Sequence, residues 1–85
     1  MIYKFIDIIN NYDNNDNNLI ILDKDIEIIE IQKKLCKRLN NCYIYYDIFK
    51  KYEDNDIGYI IYKNKVFMII KQMINKFYIK YINII

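Results

Sequence analysis

The chain has no alanine, serine, threonine, histidine, proline or tryptophan, and only one glycine, Gly58. Each absence removes chemistry. Without serine and histidine no Ser-His-Asp triad can form, and no Cys-His pair can generate a thiolate nucleophile. Without histidine neither an HExxH motif nor a Cys/His zinc site can be assembled. Acid–base work would fall to Asp, Glu, Lys, Tyr or Cys. The expectation is a protein with no metal and no cofactor, and one that is not an enzyme, although these absences do not exclude catalysis. A strong excess of one charge is also missing: thirteen basic and eleven acidic residues leave a net charge of +2. That lacks the electrostatic footprint of a nucleic-acid binder. No apolar run reaches the ~18 residues that cross a bilayer; Val66 to Ile70 falls far short, so no membrane span is expected. Lys4 precedes no small-residue cleavage site, which argues against a secretory signal. Two cysteines make no disulfide framework, which suits an intracellular, reducing compartment such as the cytoplasm, including that of an infected host cell.

What fills the gap is isoleucine, asparagine and lysine, together more than half of the 85 residues, with ten tyrosines beside them. Such an alphabet matches the coding bias of a very AT-rich genome: viral, parasite or organellar. A surface Lys or Asn therefore carries less functional information than usual. The length predicts one domain over residues 1–85. At this size burial exceeds chain entropy only narrowly, and a partner covering apolar surface would widen the margin.

Ile2, Phe5, Ile6 and Ile9 recur at helical spacing, which predicts a helix over Met1 to Asn11. A strand over Ile2 to Ile9 is the rival, from β-branching. Residues 12–18, YDNNDNN, read as a polar loop. Asp13 and Asp16 lack the glycine and distal glutamate of a calcium loop. Leu19 to Leu22 reads as a buried strand. Asp23 or Asp25 then offers an N-cap for a helix reaching Asn40, on which Ile28, Ile31, Leu35 and Leu39 recur. Acidic residues lead and basic ones follow, as the helix dipole favours, and Asn40-Asn41 can close the helix through a left-handed residue. Ile26 to Ile31 could instead be a strand hairpinned onto the first. Cys42 to Phe49, CYIYYDIF, reads as a strand interrupted by Asp47, either a buried carboxylate with a raised pKa or the strand's end. Lys50 to Asp56 reads as a polar connection with about one helical turn. Gly58 is expected to meet a backbone demand. Tyr59 to Tyr62 and Val66 to Ile70 form a hairpin around a three-residue turn, Lys63-Asn64-Lys65, with Asn64 left-handed. From Ile69 onward Ile70, Ile74, Phe77, Tyr81 and Ile85 line one face, which predicts a terminal helix.

The expected class is α/β: a sheet of about four strands with flanking helices, in the order helix-strand-helix-strand-strand-strand-helix. With a right-handed β-α-β unit and the hairpin IGYIIYKNKVFMI (Ile57 to Ile69), the chain resembles the thioredoxin-like superfamily. The departures are chemical. Where that family has Cys-x-x-Cys this chain has Asp23-Lys24-Asp25-Ile26, and its cis-proline position falls near Gly58. The resemblance thus implies a redox-inactive module.

Three candidate sites remain, each with a plainer alternative. Cys36 and Cys42 could pair across the helix–strand turn if their Cα atoms lie within ~7 Å, which would support a thiol-disulfide oxidoreductase; otherwise they are two buried free thiols. Lys33, Lys34, Lys37 and Arg38 form a basic stripe for a phosphate or an acidic partner, or a solvated helix face. Tyr43, Tyr45, Tyr46, Tyr59, Tyr62, Tyr78 and Tyr81 could stack bases of single-stranded nucleic acid beside the lysines, serve a protein interface, or fill half-buried positions. The favoured reading is a non-enzymatic protein-interaction domain whose partner is protein, self or other, with Lys33, Lys34, Lys37, Arg38, Tyr59 and Tyr62 as binding residues. Thiol exchange and weak nucleic-acid binding are the alternatives.

Overall fold

In the computed structural model, residues 2–11, 19–45, 51–52 and 55–84 are described. The elements in chain order are α1 (Tyr3–Asn10), β1 (Leu19–Ile21), α2 (Ile28–Arg38), β2 (Cys42–Tyr45), β3 (Lys51–Tyr52), β4 (Asn55–Tyr62), β5 (Lys65–Met73) and β6 (Lys76–Ile84). The class is α/β, with five strands ordered β1-β6-β5-β4-β2 and the two-residue β3 paired to β4. Every pairing is antiparallel. The polar loop at 12–18, with Asp13 and Asp16, and the expectations for Tyr46 and Asp47 lie outside the described residues.

Several expectations need correction. The terminal helix is absent among the described residues; β5 continues to Met73, turns at Ile74-Asn75 and returns as β6. The misleading signal was the four-residue step from Phe77 to Tyr81, which a helix and a strand both place on one side. The intervening residue decides: Phe77 and Ile79 are both fully buried, which is a period of two. The β-branched and aromatic composition favours the strand as well. The parallel β-α-β unit is replaced too, because β1 and β2 sit at opposite edges of the sheet. The polar stretch Lys50 to Asp56 contributes β3 and the start of β4 where a helical turn was expected. The Lys63-Asn64 turn has two residues, since Tyr62 pairs with Lys65, and both have positive φ, 52° and 61°. That is the type I′ geometry whose twist matches the flanking strands.

The middle helix is present, and Ile26 to Ile31 is not a strand. Its start is later than Asp23 or Asp25 would set it. Glu27 is the N-cap residue, with no side-chain cap, and its carbonyl accepts the amides of Glu30 and Ile31. Asp25 is occupied elsewhere, 2.6 Å from Lys71 Nζ on β5. The helix ends at Arg38, short of Asn40, with Leu39 as an extended C-cap residue; the left-handed residue is Asn41, at φ 57°, and it lies in the turn into β2, not at the cap.

Both helices lie on one face of the sheet. Phe5 of α1 meets Phe77 edge-on, with ring centroids 6.1 Å apart. Ile31 and Leu35 of α2 share the core with Ile60, Phe67, Ile69 and Ile79. Gly58 explains how close α2 comes. It does not have a positive φ; instead, a Cβ there would stand 2.4 Å from Ile28 Cγ2 and 2.6 Å from Gln32 Nε2. The missing side chain lets Gln32, the buried polar residue of this core, donate Nε2–H to the Tyr59 carbonyl at 2.9 Å. A buried amide left without that bond would cost about 1–3 kcal/mol.

Candidate functional site

The strand registers sort side chains onto two faces. Ile60, Phe67 and Ile69 point toward the helices. Their neighbours point away: Tyr59 opposite Met68, Ile61 opposite Val66, Ile57 opposite Ile70. The outward row runs through Tyr43 and Tyr45 on β2, Tyr78 and Lys80 on β6, and Leu19 and Ile21 on β1. Among the described residues no helix or strand lies over this outer face. At its centre Val66 and Met68 are buried. At its margins Leu19, Ile21, Tyr43 and Tyr45 are exposed, with Tyr43 at 60% and Ile21 at 54%. Tyr45 and Tyr59 pack edge-on at 6.2 Å, which holds the rings in place. By register, Lys76 and Lys80 are the charged residues of this face; no acid joins them among the described residues.

The face is large enough to bind a protein. Five strands spaced ~4.8 Å apart, of three to nine residues and averaging about six at ~3.3 Å each, cover about 500 Å² in plan. Two such faces meeting would reach the ~1,000 Å² that separates a specific interface from a casual contact.

The two thiols come together at the other end of the chemistry scale. Cys36, in the last turns of α2, and Cys42, the first residue of β2, have their Sγ atoms 3.2 Å apart, in hydrogen-bond contact. Cys42 is buried and Cys36 half-buried. Burial, reinforced by the shared proton and charge of Cys36, pushes the Cys42 thiol well above its ordinary range.

The basic stripe is partly spent within the chain. Lys34 faces Glu30 at 3.6 Å. Arg38 donates to the Tyr3 hydroxyl and lies over the Tyr3 ring at 4.8 Å. Lys33 and Lys37 are exposed. With Ile2 and Tyr3, the cations Lys34, Lys37 and Arg38 line a shallow groove of about 490 Å³ between the helices. Among the described residues no group of three or more His, Cys, Asp or Glu could hold a metal.

The residues expected to bind together are divided by the fold. The stripe lies on α2, in the helical layer. Tyr59 faces outward. Tyr62 faces inward, packs against the core and carries Lys63 Nζ 5.2 Å from its ring. Tyr81 also packs inward, 5.8 Å from Phe67. Leu19, Ile21, Met68 and Ile70 of the outer face escaped sequence reasoning; strand alternation that stays apolar on both sides was the signal. No helix of the described residues is long and apolar enough to cross a membrane. No family model matches the chain, and neither does any curated protein or solved structure.

Proposed function

We propose that the protein is a non-enzymatic interaction module that binds protein through the outer face of its sheet. The carrying observation is the row of exposed Tyr43, Tyr45 and Ile21 and half-buried Ile61 and Ile70, over which no described helix or strand lies, opposite an inner face packed under the two helices. Aromatic, apolar and charge-poor surface of this kind is what interface cores contain. The partner this face describes best is a second copy. A two-fold axis along β5 would set β6 over β4 and β1 over β2, bring Lys80 over Tyr59, its neighbour across Met68, in a cation–π arrangement, and bury both apolar rows at the ~10 Å spacing of packed sheets. Cytoplasmic residence is part of the proposal, from the free thiols. The reading does not rest on the thioredoxin-like resemblance, whose terminal helix is a strand here.

Sedimentation velocity over a range of protein concentrations tests it. The full chain is expected to pass from monomer to dimer as concentration rises, and the pair Ile21→Lys, Tyr43→Lys is expected to stay monomeric with unchanged secondary structure. Dimerisation that survives both substitutions, or a wild type that is monomeric throughout, contradicts the proposal. Base stacking on the same tyrosines predicts binding of single-stranded nucleic acid that weakens with salt; such binding without self-association would favour that alternative.

A further inference from the structure

Cys36 and Cys42 sit six residues apart, joined by the reversal Leu39-Asn40-Asn41, with their sulfurs 3.2 Å from each other. A disulfide needs ~2.05 Å between sulfurs, so an approach of roughly 1 Å would join them. The two thiols differ in access: Cys36 is half-buried and Cys42 buried. No third cysteine competes for either.

We infer that Cys36 and Cys42 form a reversible intramolecular dithiol–disulfide couple, oxidised by small disulfides, with Cys36 the entry thiol and Cys42 the resolving one. The inference goes beyond the proposed interaction function and does not depend on it. The steps balance. Cys36, as thiolate, attacks a small disulfide RSSR, forming Cys36–S–S–R and releasing one RS⁻, which takes up the proton lost by Cys36. Cys42 then gives its proton to solvent or to the second leaving thiolate and attacks Cys36 Sγ. The S–S bond between Cys36 Sγ and the sulfur carrying R breaks, and the second RS⁻ departs, taking up a proton to become RSH. The protein dithiol is oxidised by two electrons and RSSR is reduced to two RSH.

The geometry sets the direction of traffic. A buried thiol held protonated is a poor attacker of outside disulfides, so exchange begins at Cys36. Once Cys36 carries a mixed disulfide, Cys42 is already beside the sulfur it must attack, and proximity replaces acidity as the source of rate. The product would tie the last turns of α2 to the first residue of β2, a strand that among the described residues pairs with β4 alone. The couple is therefore a staple on that edge and not a centre for turning over large substrates.

The test equilibrates the reduced full chain in glutathione buffers of increasing GSSG:GSH ratio, quenches in acid and reads intact mass. The expected result is a monomer lighter by two hydrogens, without retained glutathione, accumulating as the ratio rises and reversed by dithiothreitol. Cys42→Ala is expected to trap the glutathione adduct on Cys36, and Cys36→Ala to leave Cys42 unmodified in the native state. The oxidised wild type should melt on the order of 10 °C higher than the reduced one, from closure of a short loop. A wild type that stays a dithiol at the most oxidising ratio, that retains glutathione on Cys36, or that forms disulfide-linked dimers overturns the inference. Mass readouts on the wild type need no variant to fold, and they are indifferent to whether the sheet face self-associates.

Discussion

On the inner face of the sheet Phe67, Ile69, Phe77 and Ile79 are at most 1% exposed, while on the outer face of the same sheet Ile21 is 54% and Tyr43 60% exposed. The residue types hardly differ. What differs is the layer above: α1 and α2 cover one side, and no described element covers the other. Hydrophobicity alone did not assign the faces. The helices lie on the side where Gly58 leaves room for Gln32 and Ile28, and Tyr43, Tyr45 and Tyr59 point to the other.

The largest loss of stability is expected on the inner side. Phe77→Ala removes a fully buried ring packed edge-on against Phe5 and is expected to cost about 3–5 kcal/mol, measured by urea denaturation. For a domain of this size that approaches global unfolding. Gly58→Ala comes next. Its new Cβ must push back Ile28 and the Gln32 amide, at a cost of about 1–3 kcal/mol; a change under about 0.5 kcal/mol would mean that α2 lies further from β4. On the outer side the sign of the experiment changes. Tyr43→Lys should leave stability within about 0.5 kcal/mol and lower self-association.

The smallest effect concerns pH. A hydrogen bond from Lys71 to Asp25 raises the lysine pKa, against partial desolvation. The folded state therefore favours charged Lys71, and this contribution is complete below the unfolded lysine value of ~10.4 and is lost as pH rises through the folded pKa. Asp25 is half exposed, so the loss should be no more than about 1 kcal/mol. Thermal melts of wild type and Lys71→Met, compared from neutral into alkaline solution, should converge at high pH. Cys42 also favours the fold only while protonated, but it does so in both proteins and cancels in the comparison.

Much of this architecture was legible in the residues, for identifiable reasons. α1 shows helical spacing at Ile2, Phe5 and Ile9. In α2 the doubled Ile28-Ile29 breaks strand alternation and so favours a helix over a hairpin. The hairpin turn was legible because Lys63-Asn64 stands between apolar runs. β6 was not, because the Phe77-to-Tyr81 step satisfies both periods and only the burial of Ile79 separates them. β3 and the start of β4 hid behind a polar stretch typical of loops. The thiol pair was legible as a spacing across a helix–strand turn. The outer face was not, because a sheet apolar on both sides looks like one wrapped on both sides until the helices are placed.

Hydroxyl-radical footprinting of Tyr3 and Tyr43 at rising protein concentration tests the central claim most directly. The two rings are almost equally exposed in the single chain, 61% and 60%, but Tyr3 lies on α1 and Tyr43 on the outer face of the sheet. Labelling of Tyr43 should fall as copies pair while that of Tyr3 holds steady; a ratio that stays constant at every concentration contradicts an outer face built for association.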